Sequence, residues 1–358
     1  MAKYSDDYFA KRAHDCQIKI NGILNDDLPD FCKEFFVGIQ QKTSPLTRLN
    51  YAYDLRTFFG YLTQNVADFK DILPKNIAVT DLEKITQYDI EYYLSYVSDY
   101  TKNSHSKELT NTERGKARKL SAIKSLFKYF YKRGVIGFDI TTKVDSPKIH
   151  DKEIIRLEHK EVNELLDTVE TGNGLSNHQK CYHDKTKTRD MAIVSLLLGT
   201  GIRVSELVGI NIDDIDFENN NFVVTRKGGN RVILYINPEI KQFVQEYYDK
   251  RTADINIPQA QKALFISLKN QRITTRAVEN IVKKYAKIAT PLKRITPHKL
   301  RSTFGTELYR STGDIYIVAD VLGHKDVNTT KKHYAAVSED TRKKAAEYVK
   351  LYTDDDKN

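Results

Sequence analysis

The chain has 358 residues, 40% of them apolar, and 57 Lys and Arg against 48 Asp and Glu give a formal charge of +9, a size that suits about two folded domains. No apolar run reaches the roughly 20 residues that span a bilayer, and the N-terminal MAKYSDDYFAKRAHD has no signal-peptide stretch. Three scattered cysteines (Cys16, Cys32, Cys181) make neither a disulfide framework nor a metal-spaced pair, so a soluble chain of the reducing cytoplasm is expected.

Residues 1–43 read as a helical lead-in that stops at Thr43–Ser44–Pro45, a cap followed by proline at a helix start. In residues 46–65, Leu49, Tyr51, Leu55, Phe58, Phe59 and Leu62 recur at helical spacing. Residues 82–100 carry a second stripe of Ile90, Tyr93, Leu94 and Val97, and the polar TKNSHSKELTN (101–111) reads as a loop. The helix predicted over 112–134 buries Leu120, Ile123, Phe127 and Phe130. It carries eight basic side chains, Arg114, Lys116, Arg118, Lys119, Lys124, Lys128, Lys132 and Arg133, against one acid, Glu113. A charged face of this kind can be merely solubilising, but a surplus so local favours a surface that meets phosphates.

Residues 141–153 have no helical stripe, contain Pro147 and read as a linker. This divides the chain into an N-terminal helical domain (1–140) and a second domain (154–358). Beyond the linker, residues 161–170 are helical, 189–201 form a core helix, and RVSELVGI forms a short helix behind a Gly-Thr-Gly corner. Residues 221–236 are a hairpin signal, two β-branched strands around Lys227–Gly228–Gly229–Asn230. Mostly helical sequence follows to the frayed TDDDKN. The fold class is therefore mainly α with a small β-hairpin or sheet in the C-terminal domain.

Several segments mix groups that could act together. Arg203 and Glu206 stand three apart in TGIRVSEL, as do His298 and Arg301 in TPHKLR, which puts each pair on one helix side. Lys227 sits at the hairpin tip, and LGHKDVNTTKKHY adds His324, His333 and Tyr334. Individually these are an ordinary surface pair, a solvated lysine and capping or packed histidines. A metal site on the three histidines lacks an HExxH, a CxxC or an acidic cluster to complete it, and neither a metal nor another cofactor is expected.

Taken in order, TGIRVSEL, the hairpin lysine, HKLR and LGHKDVNTTKKHY resemble the tyrosine recombinase/phage integrase family, with a likeness to its single-protein Xer members. The resemblance implies a two-domain DNA clamp, with residues 46–134 as a core-binding domain and 155–350 as the catalytic domain. It makes Tyr334 the nucleophile, Arg203, Lys227, His298, Arg301 and His324 its catalytic partners, and Glu206 a supporting acid. Arg226 beside Lys227 leaves the choice of hairpin cation open. Tyr334 follows His324 by ten residues, whereas many Xer members use nine and phage integrases also use ten.

The implied chemistry needs no ATP or metal. Tyrosine attack gives a 3′-phosphotyrosine and a free 5′-hydroxyl, and ligation reverses the step. Two guanidiniums suit the charge that builds on the non-bridging oxygens. Lys227 would be the general acid, while His298 and His324 both remain candidates to take the phenol proton. The implied partners are duplex DNA carrying an inverted-repeat site, three further copies of the chain in a tetrameric synapse, and a septal DNA translocase. Residues 339–352, read as an amphipathic helix, would dock on a neighbouring protomer or pack on their own domain. Chromosome-dimer resolution at a dif-like site is the implied role. The alternatives are a mobile-element integrase or resolvase, and a DNA-binding protein that keeps the fold without the chemistry.

Overall fold

In a computed structural model of the chain, the residues described are 8–101, 108–149, 155–226, 228–324 and 326–327. The chain divides into two compact units, Met1–Lys152 and Glu153–Asn358. None of the helices among the described residues is long and apolar enough to cross a membrane.

The first unit contains α1 (Tyr8–Asp26), α2 (Phe31–Gly38), α3 (Pro45–Asn65), α4 (Gln87–Tyr96), a hairpin of β1 (Asp99–Thr101) and β2 (Glu108–Thr110), and α5 (Glu113–Lys132). Helix α3 starts where the sequence predicts. Ser44 is extended, its hydroxyl accepts from the Thr47 N–H, and Pro45 needs no partner for its nitrogen. Leu49, Leu55, Phe58, Phe59 and Leu62 of α3 meet Leu120, Ile123, Phe127 and Phe130 of α5 in one core. The lead-in is part of that core: α1 packs on α3 and buries Ile20, Ile23 and Leu24.

Three expectations change. The stretch read as a loop from 101 contributes strand residues at both ends, with Asp99 paired to Thr110 and Thr101 to Glu108. Its polar composition hid the pairing because no apolar alternation accompanies it. The linker read from 141 begins inside the first unit, where Ile140–Lys143 make a 3₁₀ turn and Thr141 and Val144 are buried. Third, Lys119 is not a surface cation. It is buried with Asp54, Nζ to Oδ1 3.2 Å, while the partly exposed Arg118 holds the other carboxylate oxygen. A carboxylate in a core must be paired, and α5 faces α3 with Lys119 at the matching position. Lys124 is likewise engaged, donating to the Val144 carbonyl at 2.8 Å. Arg114, Lys128 and Lys132 are exposed.

The second unit is built around α7 (Asn177–Thr200), whose last turns are buried from Asp190 through Leu197. Against it pack α6 (His159–Thr171), α9 (Pro238–Ala253) and α11 (Pro297–Thr312). Helix α10 (Thr275–Ala289) closes over α6, and α12 (Ile315–Leu322) packs on α11. After the short α8 (Val204–Gly209) comes an antiparallel sheet of β3 (Ile215–Asp216), β4 (Asn221–Thr225) and β5 (Arg231–Tyr235), in that spatial order. Val223 opposes Ile233 and Thr225 opposes Arg231. Phe222 and Val224 alternate inward from β4, as period-two patterning requires. Asp190 is fully buried and accepts from Arg189, Lys284 (3.0 Å) and the Tyr285 hydroxyl (2.9 Å). Burial, then the Asp190 carboxylate, push the Tyr285 phenol up, so this tyrosine stays a neutral donor that fastens α10 to α7.

Candidate active site

The site grows from the end of α7. Gly201 takes a left-handed conformation, φ 61°, that terminates the helix. A Cβ there would overlap the Phe304 ring, so the corner is closed to other residues by both its dihedral and its neighbours. The chain then turns through buried Ile202 and presents Arg203 at the start of α8.

Glu206 fixes Arg203 twice. One carboxylate oxygen accepts the Arg203 backbone N–H at 2.9 Å and the other accepts Nη1 at 2.8 Å. Glu206 is buried, and the Arg203 side chain is 35% exposed, which leaves the guanidinium oriented yet open to a ligand. Its Nη2 donates to the Gly323 carbonyl at 3.2 Å.

Arg301 lies one helical turn after His298 on α11, whose first residue is Pro297. It is buried. Nη1 donates to the Gly201 carbonyl at 2.6 Å and Nη2 donates to the Leu322 carbonyl. One guanidinium thus ties the C-terminal end of α7 to that of α12. Helix α12 stops at Gly323, also left-handed with φ 63°, and the His324 N–H returns to the Ala319 carbonyl at 2.9 Å.

Arg203, Glu206, Arg301 and His324 are therefore brought together around one turn, although the sequence scatters them over three segments. Helix C-terminal carbonyls carry partial negative charge, and two arginine forks converge on them. His298 is exposed on the first turn of α11 and lines a cavity of about 360 Å³ with Val204, the neighbour of Arg203. Lys227 and Tyr334 lie outside the described residues, as do His333 and the C-terminal helix expected over 339–352.

One group of cations escaped the sequence reading, and so did the contact that Arg226 makes. Arg276, Lys283 and Arg294 line the cavity beside His298. Arg276 and Lys283 are seven apart on α10, a spacing that charge patterning could have flagged. Arg226 reaches from the end of β4 to the Asp320 and Val321 carbonyls of α12, a contact that no local pattern announces. Among the described residues no three His, Cys, Asp or Glu side chains gather in a metal-binding cluster.

Residues 155–341 match the phage integrase family. The chain is 32% identical over 314 residues to tyrosine recombinase XerC of Caldanaerobacter subterraneus subsp. tengcongensis, covering 85% of this chain and 82% of that one. It is 29% identical over 339 residues to tyrosine recombinase XerS of Streptococcus thermophilus, covering 88% and 94%. Among solved structures, XerH site-specific recombinase bound to palindromic difH substrate shares the fold at TM-score 0.64 and 18% identity, covering 94% of each chain. A lambda integrase tetramer bound to a Holliday junction shares it at TM-score 0.58 and 16% identity, covering 85% of this chain and 76% of that one. The helices and small antiparallel sheet of the second unit are thus the integrase fold, and the chain belongs to the phage integrase family as a tyrosine recombinase similar to the Xer proteins.

Proposed function

We propose that the protein is a site-specific recombinase that cuts and rejoins duplex DNA through a 3′-phosphotyrosine intermediate. The observation that carries the reading is the convergence of Arg203 and Arg301 on the turn before His324. Two oriented guanidiniums beside a histidine suit a phosphoryl group that gains negative charge in its transition state.

In this reading Tyr334 Oη attacks the scissile phosphorus and the bond to the 5′-oxygen breaks. Arg203 and Arg301 hold the non-bridging oxygens, and Glu206 keeps Arg203 aimed. Lys227 gives a proton to the departing 5′-oxygen. His298 accepts a proton or hydrogen-bonds near the phosphate, and His324 packs beside it and donates a hydrogen bond. The first unit acts as the core-binding domain, with Arg114, Lys128 and Lys132 of α5 meeting phosphates. These cations position the duplex and do not read its sequence.

The biological role we infer is resolution of chromosome dimers at a dif-like inverted repeat, by a tetramer acting with a septal DNA translocase. The likeness to XerS over most of both chains supports it. A mobile-element integrase is the second reading, favoured by the ten-residue step from His324 to Tyr334. A nicked suicide duplex and a two-site plasmid test the chemistry. Wild type traps covalent protein–DNA and recombines the plasmid, while Tyr334→Phe binds the duplex and does neither. Covalent complex formed by Tyr334→Phe, or none formed by wild type on a competent site, removes the reading.

A further inference from the structure

We propose that Arg226 is a positioning residue for strand cleavage, locking the β4–β5 turn onto the C-terminal end of α12. The inference rests on the assignment of Lys227, the next residue in sequence, as general acid.

The backbone of Arg226 is held by the turn it opens. Its N–H donates to the Asn230 carbonyl at 2.8 Å and its carbonyl accepts from the Gly229 N–H at 3.0 Å. Gly228 and Gly229 supply the positive φ values, 103° and 87°, that close so short a loop. The side chain is held by a different element. Nη2 donates to the Val321 carbonyl at 2.7 Å and Nη1 to the Asp320 carbonyl at 3.3 Å. Both belong to the last turn of α12, where intrahelical donors run out; the Asp320 carbonyl also accepts the capping Gly323 N–H at 2.8 Å. A planar two-pronged cation fits both at once, where an ammonium would be a single point charge.

Two further observations separate this contact from a solvated surface arginine. The Nε is buried with no hydrogen-bond partner among the described residues, a cost that an arginine extended into water does not carry. The guanidinium also lies so close to Gly323 that a Cβ at that position would overlap it. The turn that Arg226 grips is the one that receives Arg203 and Arg301 and leads into His324. Arg226 thus ties the hairpin that carries the lysine to the turn that carries the histidine.

The chemistry gives a readout that loss of fold would not mimic. When Tyr334 attacks, the P–O5′ bond breaks and the departing oxygen must gain a proton. With sulfur at the 5′-bridging position the group leaves as a thiolate and needs none. Single-turnover cleavage of nicked duplexes with bridging oxygen or sulfur should be measured for the full-length wild type, Arg226→Ala, Arg226→Lys and Lys227→Ala. Duplex binding and thermal melting are measured alongside. Lys227→Ala should lose roughly 10²–10⁴-fold on oxygen and recover on sulfur. Arg226→Ala should lose at least about tenfold on oxygen, up to but not beyond the general-acid loss, and recover on sulfur, with binding retained. Arg226→Lys should fall between and recover too, and it decides the matter if the alanine variant does not fold. Wild-type rates for the Arg226 variants, or an equal loss on both substrates while Lys227→Ala is rescued, overturns the positioning role alone. Failure of sulfur to rescue Lys227→Ala overturns the general-acid assignment, and the Arg226 proposal falls with it.

Discussion

In the proposed mechanism Arg301 combines two duties that are usually separate. Its fork spans the Gly201 and Leu322 carbonyls and so holds two helix ends in register, and the same group is assigned to the phosphate. Lysine at this position keeps the charge but not the fork. Arg301→Lys is therefore expected to lower stability by about 1 kcal/mol for the lost hydrogen bond. The cleavage rate should fall further, by roughly 10²–10³-fold, as when one transition-state donor is removed. Urea unfolding and single-turnover cleavage separate the two, and a rate loss no larger than the stability loss would argue against phosphate contact. The sequence singled out Arg301 because its HKLR motif travels with its neighbours. Arg226 was named only as a neighbour of Lys227, and its contact was not legible, because its partners are backbone carbonyls almost a hundred residues later and carbonyls have no sequence signature.

At the level of elements, α3 and α5 show how a periodic pattern can be right about a core and wrong about a charge. The apolar stripes named Phe58, Phe59, Phe127 and Phe130, and all four are buried. The basic count on α5 could not separate Lys119, which faces Asp54, from Lys128 and Lys132, which face water. That separation depends on which residue of the partner helix lies opposite, which is tertiary information. Burial lifts the Asp54 carboxyl above its ordinary 3.8, with Lys119 and then Arg118 pulling the other way. Removing one partner strands the other: Asp54→Leu should cost about 3–5 kcal/mol, whereas Asp54→Leu with Lys119→Met should be neutral or stabilising by up to about 4 kcal/mol. The sign with pH follows from the raised carboxyl. The folded chain holds that proton more tightly than the unfolded one, so the Asp54 contribution favours folding below 3.8 and is lost as pH rises through the raised value. Any advantage of the double variant over wild type should therefore narrow on acidification, and denaturant midpoints at neutral and acid pH would show it.

Across the whole molecule, the two units divide the labour that the proposal requires, since α5 and its exposed cations sit in a unit with a core of its own. Each phosphate neutralised releases counterions, so affinity falls with salt at a slope of about 0.9 per contact on duplex DNA. Replacing Arg114, Lys128 and Lys132 together with alanine should flatten that slope by about 2 to 3. Lys124 is a built-in contrast, because its ammonium holds the Val144 carbonyl, so Lys124→Ala should act mainly on stability. The second unit keeps its own contacts in the triple variant, because Arg203, Glu206, Arg301 and the α12 turn hold one another. Cleavage at saturating protein should then stay near wild type while binding weakens uniformly across DNA sequences. Titrations over a series of salt concentrations, with site-bearing and unrelated duplexes in parallel, measure both. An unchanged slope would return α5 to the role of a solubilising face, and a lost cleavage rate at saturation would mean that the first unit does more than hold the duplex.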